Sequence, residues 1–212
     1  MNQFVETIKI KEGKAMALPY HQARMERTIR HFFPSLNATT MPCLEEIITP
    51  REELINPREE LIIPRVNIKL FKCRVVYGEQ GVEAVEYTPY TMRAIRTLKI
   101  IEANDIDYSY KSTDRTELNR LTAQKEDCDD IIIVKNGLIT DTSFTNLAIF
   151  DGHQWLTPAH PLLAGTKRAF LLDQGTITEK DLTPDDLMKA EKIRLFNAMI
   201  DFGEIEVKVR KE

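Results

Sequence analysis

The chain lacks the features that mark disulfide-bonded, metal-binding or membrane-spanning proteins. Its three cysteines are widely spaced and form no CxxC pair, which is typical of reduced thiols in the cytoplasm and gives no zinc pattern. The four histidines form no HExxH-type pair, so we expect no bound metal. The apolar stretches, such as residues 131–134, are far too short to span a bilayer.

An excess of positive charge is also missing. With 29 basic and 33 acidic residues the net charge is −4, and the two signs are interspersed, which argues against a nucleic-acid or membrane-surface partner. The N-terminus, MNQFVETIKIKEG, has no apolar signal core, so we expect a cytoplasmic protein. The 42% of hydrophobic and 29% of charged residues are ordinary for a globular chain, and 212 residues suit one large domain or two small ones.

The first third of the chain shows strand and helix patterns in turn. Alternating apolar residues and a glycine turn predict a hairpin with strands at 3–10 and 15–18. Apolar residues at helical spacing predict a helix over 20–33, which ends at Pro34. Two more paired strands are predicted at 66–77 and 82–88.

A short duplication lies between the predicted helix and these strands. PREELIN at 50–56 is followed directly by PREELII at 57–63. Two copies are too few for a solenoid, and the prolines interrupt any continuous helix. We interpret the duplication as a local repeat in a surface segment.

The remainder mixes strands and helices. The predicted strands are 91–101, 130–134, 138–140, 146–150, 155–156 and 193–196, followed by a tail at 204–209. The predicted helices are 115–127, 166–173 and one that Thr183 caps. This order indicates a mixed α+β chain. We expect an N-terminal half over 1–100 and a C-terminal half over 101–212.

One lysine stands ahead of a long ordered motif. Lys111 lies in YKSTDRTELN, and the stretch 134–168 follows it. The matching residues in that stretch are Gly137, Thr140, Asp141, Asn146, Gly152, Thr157, Pro158, Leu163, Gly165 and Arg168. Their order and spacing resemble the motif region of the class IV aminotransferases. These are the fold-type IV pyridoxal-phosphate (PLP) enzymes, which include branched-chain and D-amino-acid aminotransferases and aminodeoxychorismate lyases.

The resemblance covers nearly the whole chain. FVET at 4–7, HQARMERT at 21–28, DRTELN at 114–119 and KAEKIRLFNAM at 189–199 are similar to further segments of the family. The resemblance implies a two-domain α+β fold like that of D-amino-acid aminotransferase. A smaller N-terminal domain over 1–100 would precede a C-terminal domain over 101–212 that carries the lysine and most cofactor contacts. It also implies PLP as cofactor and a homodimer.

The resemblance assigns the two residues at the centre of the chemistry. Lys111 would supply the amine that attaches to the aldehyde of PLP and would then move the α-proton of the substrate. Asp141 stands where the family usually has glutamate, and Thr142 where it usually has glycine. A buried carboxylate there would keep the ring nitrogen protonated.

Other residues are implied as contacts of the cofactor or the substrate. Gly165 and Thr166 at a helix start would offer N–H groups and a hydroxyl to the phosphate, and Arg24 would add positive charge. Ser143, Thr145, Asn197 and Ala198 would also touch the cofactor. Arg74 would meet a substrate carboxylate.

Three functions stay open from the sequence. The first is transfer of an amino group between an amino acid and a 2-oxo acid. The alternative is a lyase that splits 4-amino-4-deoxychorismate into pyruvate and 4-aminobenzoate, a folate precursor. The third is a non-catalytic family member that binds a cofactor or a partner. Retention of Lys111 favours an enzyme.

Overall fold

The computed structural model describes residues 2–36, 41–48 and 70–209, so the PREEL duplication lies outside the described residues. The chain separates into two compact units, Met1–Thr91 and Met92–Glu212. The boundary expected at residue 100 would cut strand Thr97–Glu102, which pairs with two strands of the second unit.

The first unit is a four-stranded antiparallel sheet with helix α1. The sheet order is β2-β1-β3-β4. The elements are β1 (Phe4–Lys11), β2 (Lys14–Ala15), α1 (Leu18–Phe32), α2 (Leu44–Ile47), β3 (Leu70–Gly78) and β4 (Gly81–Pro89). The predicted hairpin is confirmed, and its turn residues Glu12 and Gly13 have φ of 51° and 76°. Positive φ at both central positions is what a type I′ hairpin turn requires.

Helix α1 forms where the apolar spacing predicts it. Met25 and Ile29 are fully buried, four residues apart on one face. Pro19 lies in the first turn, where a missing N–H costs nothing. The ring of Phe32 packs on that of Phe4 at a centroid distance of 4.6 Å, which holds the helix on strand β1.

A buried ion cluster also joins α1 to β1. Arg24 donates from Nε and Nη2 to the two carboxylate oxygens of Glu6, at 2.9 and 2.5 Å. His21 Nδ1 lies 2.6 Å from the same carboxylate. Burial opposes ionisation of Glu6, but the Arg24 charge and the His21 contact outweigh it and hold the pKa at about 2. Glu6 therefore stays ionised at neutral pH.

The second unit contains eight strands, in the order β10-β9-β8-β11-β12-β5-β6-β7. The strands are β5 (Thr97–Glu102), β6 (Asp130–Lys135), β7 (Leu138–Thr142), β8 (Asn146–Phe150), β9 (Trp155–Pro158), β10 (Thr178–Lys180), β11 (Lys192–Phe196) and β12 (Ile205–Val209). Strand β10 was not predicted. The strand predicted over 91–101 begins only at Thr97, because the backbone N–H groups of Arg96 and Thr97 bond to the Asp129 carboxylate.

The eight-stranded sheet must curl. Four strands lie between β7 and β8 in the sheet order, yet only residues 143–145 connect them. Neighbouring strands are about 4.8 Å apart, so a flat sheet would separate β7 from β8 by roughly 24 Å. Four peptide links reach only about 14 Å. Curvature therefore brings the ends of β7 and β8 together at the turn 142–145.

Three helices pack against this sheet. They are α3 (Thr116–Thr122), α4 (Thr166–Asp173) and α5 (Pro184–Lys189). Leu118 and Leu121 of α3 share a buried cluster with Ile131 and Ile133 of β6. Thr183 caps α5, as the sequence predicts, and also forms a capping box with Asp186. In the described part of the chain, no helix has the length and apolar character needed to cross a membrane.

Replacing Glu6 should destabilise the first unit. Glu6→Gln leaves the buried Arg24 guanidinium without its counter-charge, and we expect unfolding to become easier by about 3 kcal/mol. Glu86→Gln is the matched control, because Glu86 pairs with Arg74 on an exposed face of the same sheet. That variant should cost less than about 1 kcal/mol. Urea unfolding at neutral pH measures both, and equal losses would contradict the prediction.

Candidate active site

Lys111 lies on an irregular segment between β5 and α3. The residue is half-buried. On one side of it, the Tyr108 hydroxyl donates to the Ser112 carbonyl at 2.7 Å. On the other, the Asp114 carboxylate accepts from the Thr116 backbone N–H at 2.9 Å and so starts α3. Local hydrogen bonds thus hold the backbone on both sides of Lys111 in place.

Asp141 on β7 is the centre of a buried hydrogen-bond network. One carboxylate oxygen accepts from the Asn146 side-chain amide at 2.7 Å, and the other accepts from the Leu163 backbone N–H at 2.8 Å. The same amide group of Asn146 also donates to the Leu163 carbonyl at 2.9 Å. The three residues form a closed set that ties β7, the start of β8 and the segment before α4 together.

The environment of Asp141 shifts its titration towards neutral pH. Burial raises the pKa to about 7, although the bonds from Leu163 and Asn146 and the charge of Arg168 act to lower it. Hydrogen bonds from neutral donors therefore offset only part of the desolvation cost. A carboxyl group that titrates near pH 7 in a buried position is a frequent property of active sites.

Helix α4 begins beside this network, at the residues predicted to bind phosphate. Gly165 is the N-cap and Thr166, which is buried, is the first helical residue. A Cβ on Gly165 would overlap Oδ1 of Asn146, so the close approach requires glycine. The N-cap residue Gly165 has no side chain that could cap this helix. The start of α4 can therefore offer backbone N–H groups to an anion.

The turn 142–145 joins the remaining segments. The hydroxyls of Thr142 and Thr145 lie 2.7 Å apart, and the backbone N–H of Thr145 donates to the Thr142 hydroxyl. Arg115 donates to the Ser143 carbonyl at 2.8 Å, and Asn197 donates to the Phe144 carbonyl at 3.2 Å. The lysine segment and the loop after β11 thus both reach the same turn.

Most of the predicted site residues meet in the second unit. Hydrogen bonds connect the segments that hold Lys111, Asp141, Ser143, Thr145, Gly165, Thr166, Asn197 and Ala198. The side chain of Asn197 also accepts from the backbone N–H groups of Met199 and Ile200, which shapes its own loop.

The two predicted arginines belong to the first unit. Arg24 is buried and bonded to Glu6. Arg74 lies directly opposite Glu86 on the neighbouring strand and pairs with it at 2.9 Å.

Two residues of this region carry no assignment from the sequence. Arg115 bonds to the Ser143 carbonyl. Because every residue has a backbone carbonyl, the sequence cannot indicate this contact. Asp130 is fully buried at the start of β6, where the side chains of Ser143 and Thr142 and the Ile131 backbone N–H lie near its carboxylate. Burial raises its pKa. A charged residue directly before an apolar run was the one available signal for Asp130.

Residues 3–206 match the family described as amino-transferase class IV, so the chain belongs to this family of PLP-dependent enzymes. The resemblance stated from the sequence is confirmed, and the fold is that of the fold-type IV enzymes.

Three relatives illustrate the match. A crystal structure from Haemophilus somnus, described as a "putative 4-amino-4-deoxychorismate lyase", is 38% identical with a TM-score of 0.82 and covers 94% of this chain and 97% of its own. An uncharacterized protein of Haemophilus influenzae is 33% identical over 201 residues, which are 94% of this chain and 98% of that protein. A "putative aminodeoxychorismate lyase" of Schizosaccharomyces pombe is 32% identical over 127 residues, 55% of this chain and 54% of the relative.

The residue types at the site fit PLP. Lys111 offers an amine for the aldehyde, Asp141 a buried carboxylate for the ring nitrogen, and the start of α4 offers N–H groups for the phosphate. The Asp141 carboxylate accepts bonds from the Asn146 amide and the Leu163 N–H, with the Leu162 N–H also nearby, and a carboxylate has about four acceptor positions. Acceptor capacity therefore remains for the N–H of a protonated ring.

Asp141 should make the stability of the cofactor-free protein depend on pH. Because its folded-state pKa is raised to about 7, the contribution to stability is present below the unfolded pKa near 4 and is lost as the pH rises through about 7. Relative to Asp141→Asn, wild type should lose roughly 3 kcal/mol between pH 5 and pH 8. Urea titrations at these two pH values measure the difference.

The control for this experiment is Asp151→Asn, a change at an exposed carboxylate in a hairpin turn. Its profile should run parallel to that of wild type over the same range. A parallel profile for Asp141→Asn would contradict the assignment of the titration to Asp141.

Proposed function

We propose that the protein is a PLP-dependent lyase that converts 4-amino-4-deoxychorismate into 4-aminobenzoate and pyruvate. The observation that carries the PLP site is the closed network of Asp141, Asn146 and Leu163 beside the start of α4. The choice of the lyase reaction is supported by the Haemophilus somnus relative, which is similar over almost its full length and carries that description.

In this proposal PLP, when bound, supplies an aldehyde that takes up the substrate amine and a ring that withdraws electrons. Lys111 would hold the cofactor through its amine. Lys111 then accepts the proton from the carbon that bears the amine. The enolate of pyruvate would leave from the neighbouring carbon and take that proton from Lys111, so that the ring of the substrate becomes aromatic and the amine of Lys111 is neutral again.

Asp141 holds the proton on the ring nitrogen. Its pKa near 7 in the cofactor-free protein would fall next to a protonated pyridine, because an opposite charge favours the ionised carboxylate. Asn146 and Leu163 orient the carboxylate and supply donors to it.

The remaining contacts follow from the same proposal. Gly165 and Thr166 bind the phosphate at the start of α4. The proposal does not depend on Arg24, whose guanidinium is already bonded to Glu6. Ser143, Thr145, Asn197 and Ala198 contact the cofactor.

The proposal does not depend on Arg74, since Glu86 already pairs with that side chain. We also propose that the second unit carries the lysine and most cofactor contacts, and that the protein works as a cytoplasmic homodimer, as the family resemblance implies.

Transamination is the second candidate function. It needs the same amine, carboxylate and phosphate contacts, and the family described as amino-transferase class IV spans residues 3–206. Transamination and the lyase reaction differ in the group that receives the proton that Lys111 has removed from the substrate. In transamination it returns to a carbon of the cofactor, whereas in the lyase reaction the leaving group departs first. A non-catalytic role is disfavoured because the amine and the carboxylate are both retained.

Borohydride should fix pyridoxyl on Lys111. The protein is loaded with PLP, reduced, digested and mapped by mass spectrometry, and Lys111→Ala should carry no label. Lys125→Ala is the control, because Lys125 is a half-buried lysine of the same unit that bonds to a backbone carbonyl. That variant should label like wild type. A label on another lysine, or no uptake of PLP, would exclude the proposed site.

The two candidate reactions can be separated with the PLP-loaded enzyme. Aminodeoxychorismate should yield 4-aminobenzoate and pyruvate in equal amounts over many turnovers. Single L- or D-amino acids, added without an oxo acid, should leave the visible absorption of the cofactor unchanged. Conversion of the cofactor to its aminated form by an amino acid, with no 4-aminobenzoate from aminodeoxychorismate, would replace the lyase by a transaminase.

A further inference from the structure

We infer that Arg115 is a positioning residue, which holds the Lys111 segment against the turn 142–145 and so sets where the amine stands. This inference rests on the proposed function, in which Lys111 attaches to PLP and moves a proton. Arg115 itself acts through the backbone and through Tyr108.

The contacts of Arg115 link two separate parts of the chain. Its Nη2 donates to the Ser143 carbonyl at 2.8 Å across 28 residues of sequence. Its guanidinium carbon lies 5.7 Å from the ring centroid of Tyr108, and Nη1 is 3.5 Å from the Tyr108 hydroxyl. A guanidinium can stack on an aromatic ring and donate from its edge at the same time, which an ammonium cannot do.

Tyr108 extends this link to the residue beside the lysine. Its hydroxyl donates to the Ser112 carbonyl at 2.7 Å. Arg115 therefore orders Tyr108, and Tyr108 orders the peptide that follows Lys111. Lys111 therefore lies in a segment whose two ends, Tyr108 and Arg115, contact each other.

Apolar packing anchors the segment at Tyr108, which packs against a buried cluster, and beyond the two ends of the segment. Ile106 before it and Leu118 after it belong to one buried cluster with Ile131 and Ile133. Residues 108–115 carry no fully buried side chain. The middle of the segment, where Lys111 lies, is therefore held largely by polar contacts, and the bond from Arg115 is one that reaches the turn after Asp141.

The acceptor of Arg115 is itself well placed. Ser143 follows Asp141 by two residues, and its turn is closed by the bonds between Thr142 and Thr145 and by the Asn197 bond to the Phe144 carbonyl. A bond to this carbonyl thus fixes the lysine segment relative to the carboxylate strand. Both groups act on one cofactor in the proposed reaction, so their relative position matters for catalysis.

Loss of this positioning should slow chemistry more than binding or folding. A displacement of about 1 Å of a reacting group can cost roughly 100-fold in rate. We expect Arg115→Met to lower kcat by about that factor and to slow the covalent attachment of PLP to Lys111 similarly, with little change in KM. Arg115→Lys keeps the charge and one donor but loses the stacked fork, so its rates should lie between those of Arg115→Met and wild type.

The matched control is Arg120→Met. Arg120 lies five residues further along on α3, where it forms an exposed pair with Glu117. The change removes the same charge from the same part of the chain, and it should leave kcat, attachment rate and urea midpoint as in wild type. Attachment is followed by the visible absorption after PLP is added to the cofactor-free protein, and its site is mapped by borohydride reduction.

The outcomes separate this inference from the proposed function. If wild type carries no label on Lys111, the proposed function fails and the inference fails with it. If wild type is labelled and Arg115→Met behaves like Arg120→Met, the inference alone is overturned. Should Arg115→Met fail to fold, Arg115→Lys decides: a wild-type attachment rate overturns the inference, and a reduced rate at an unchanged urea midpoint supports it.

Discussion

The arrangement of the second unit depends on one buried carboxylate and the groups that solvate it. Asp141 is almost fully inaccessible, and ionising it there is costly unless donors replace water. Asn146 and the Leu163 N–H supply those donors. Asn146 bonds to both β7 and the segment before α4, and this places its Oδ1 where a Cβ on residue 165 would lie. Position 165 at the helix start therefore requires glycine. The curl of the sheet, the turn after β7 and the start of α4 are thereby linked.

Each unit contains a buried acid, Glu6 in the first and Asp141 in the second, and their surroundings shift the two pKa values in opposite directions. Glu6 has a guanidinium and an imidazole beside it, so its pKa is held at about 2 and its charge is permanent. Asp141 is bonded mainly by neutral groups, and burial raises its pKa to about 7. A permanent charge suits the attachment of a helix to a strand. A carboxyl that changes charge near neutral pH suits proton chemistry.

Patterns of short range predicted much of the fold. The hairpin at Glu12 and Gly13, helix α1 with Met25 and Ile29, and the capping box of α5 all follow from neighbouring residues. Strand β10 was missed, since its three residues are exposed and show no apolar alternation. The start of β5 was misjudged because Asp129, more than thirty residues away, takes the N–H groups of Arg96 and Thr97.

The sequence by itself determined the family, most of the elements and the candidates Lys111 and Asp141, because a long ordered motif and local periodicity depend on residue types alone. Only the tertiary structure decided how those candidates are held. The bond from Leu163 to Asp141 spans 22 residues, and that from Arg115 to Ser143 spans 28. Each has a backbone group at one end. Every residue except proline has the same backbone N–H and C=O groups, so no pattern of side chains can predict which of these groups bonds to Asp141 or Arg115.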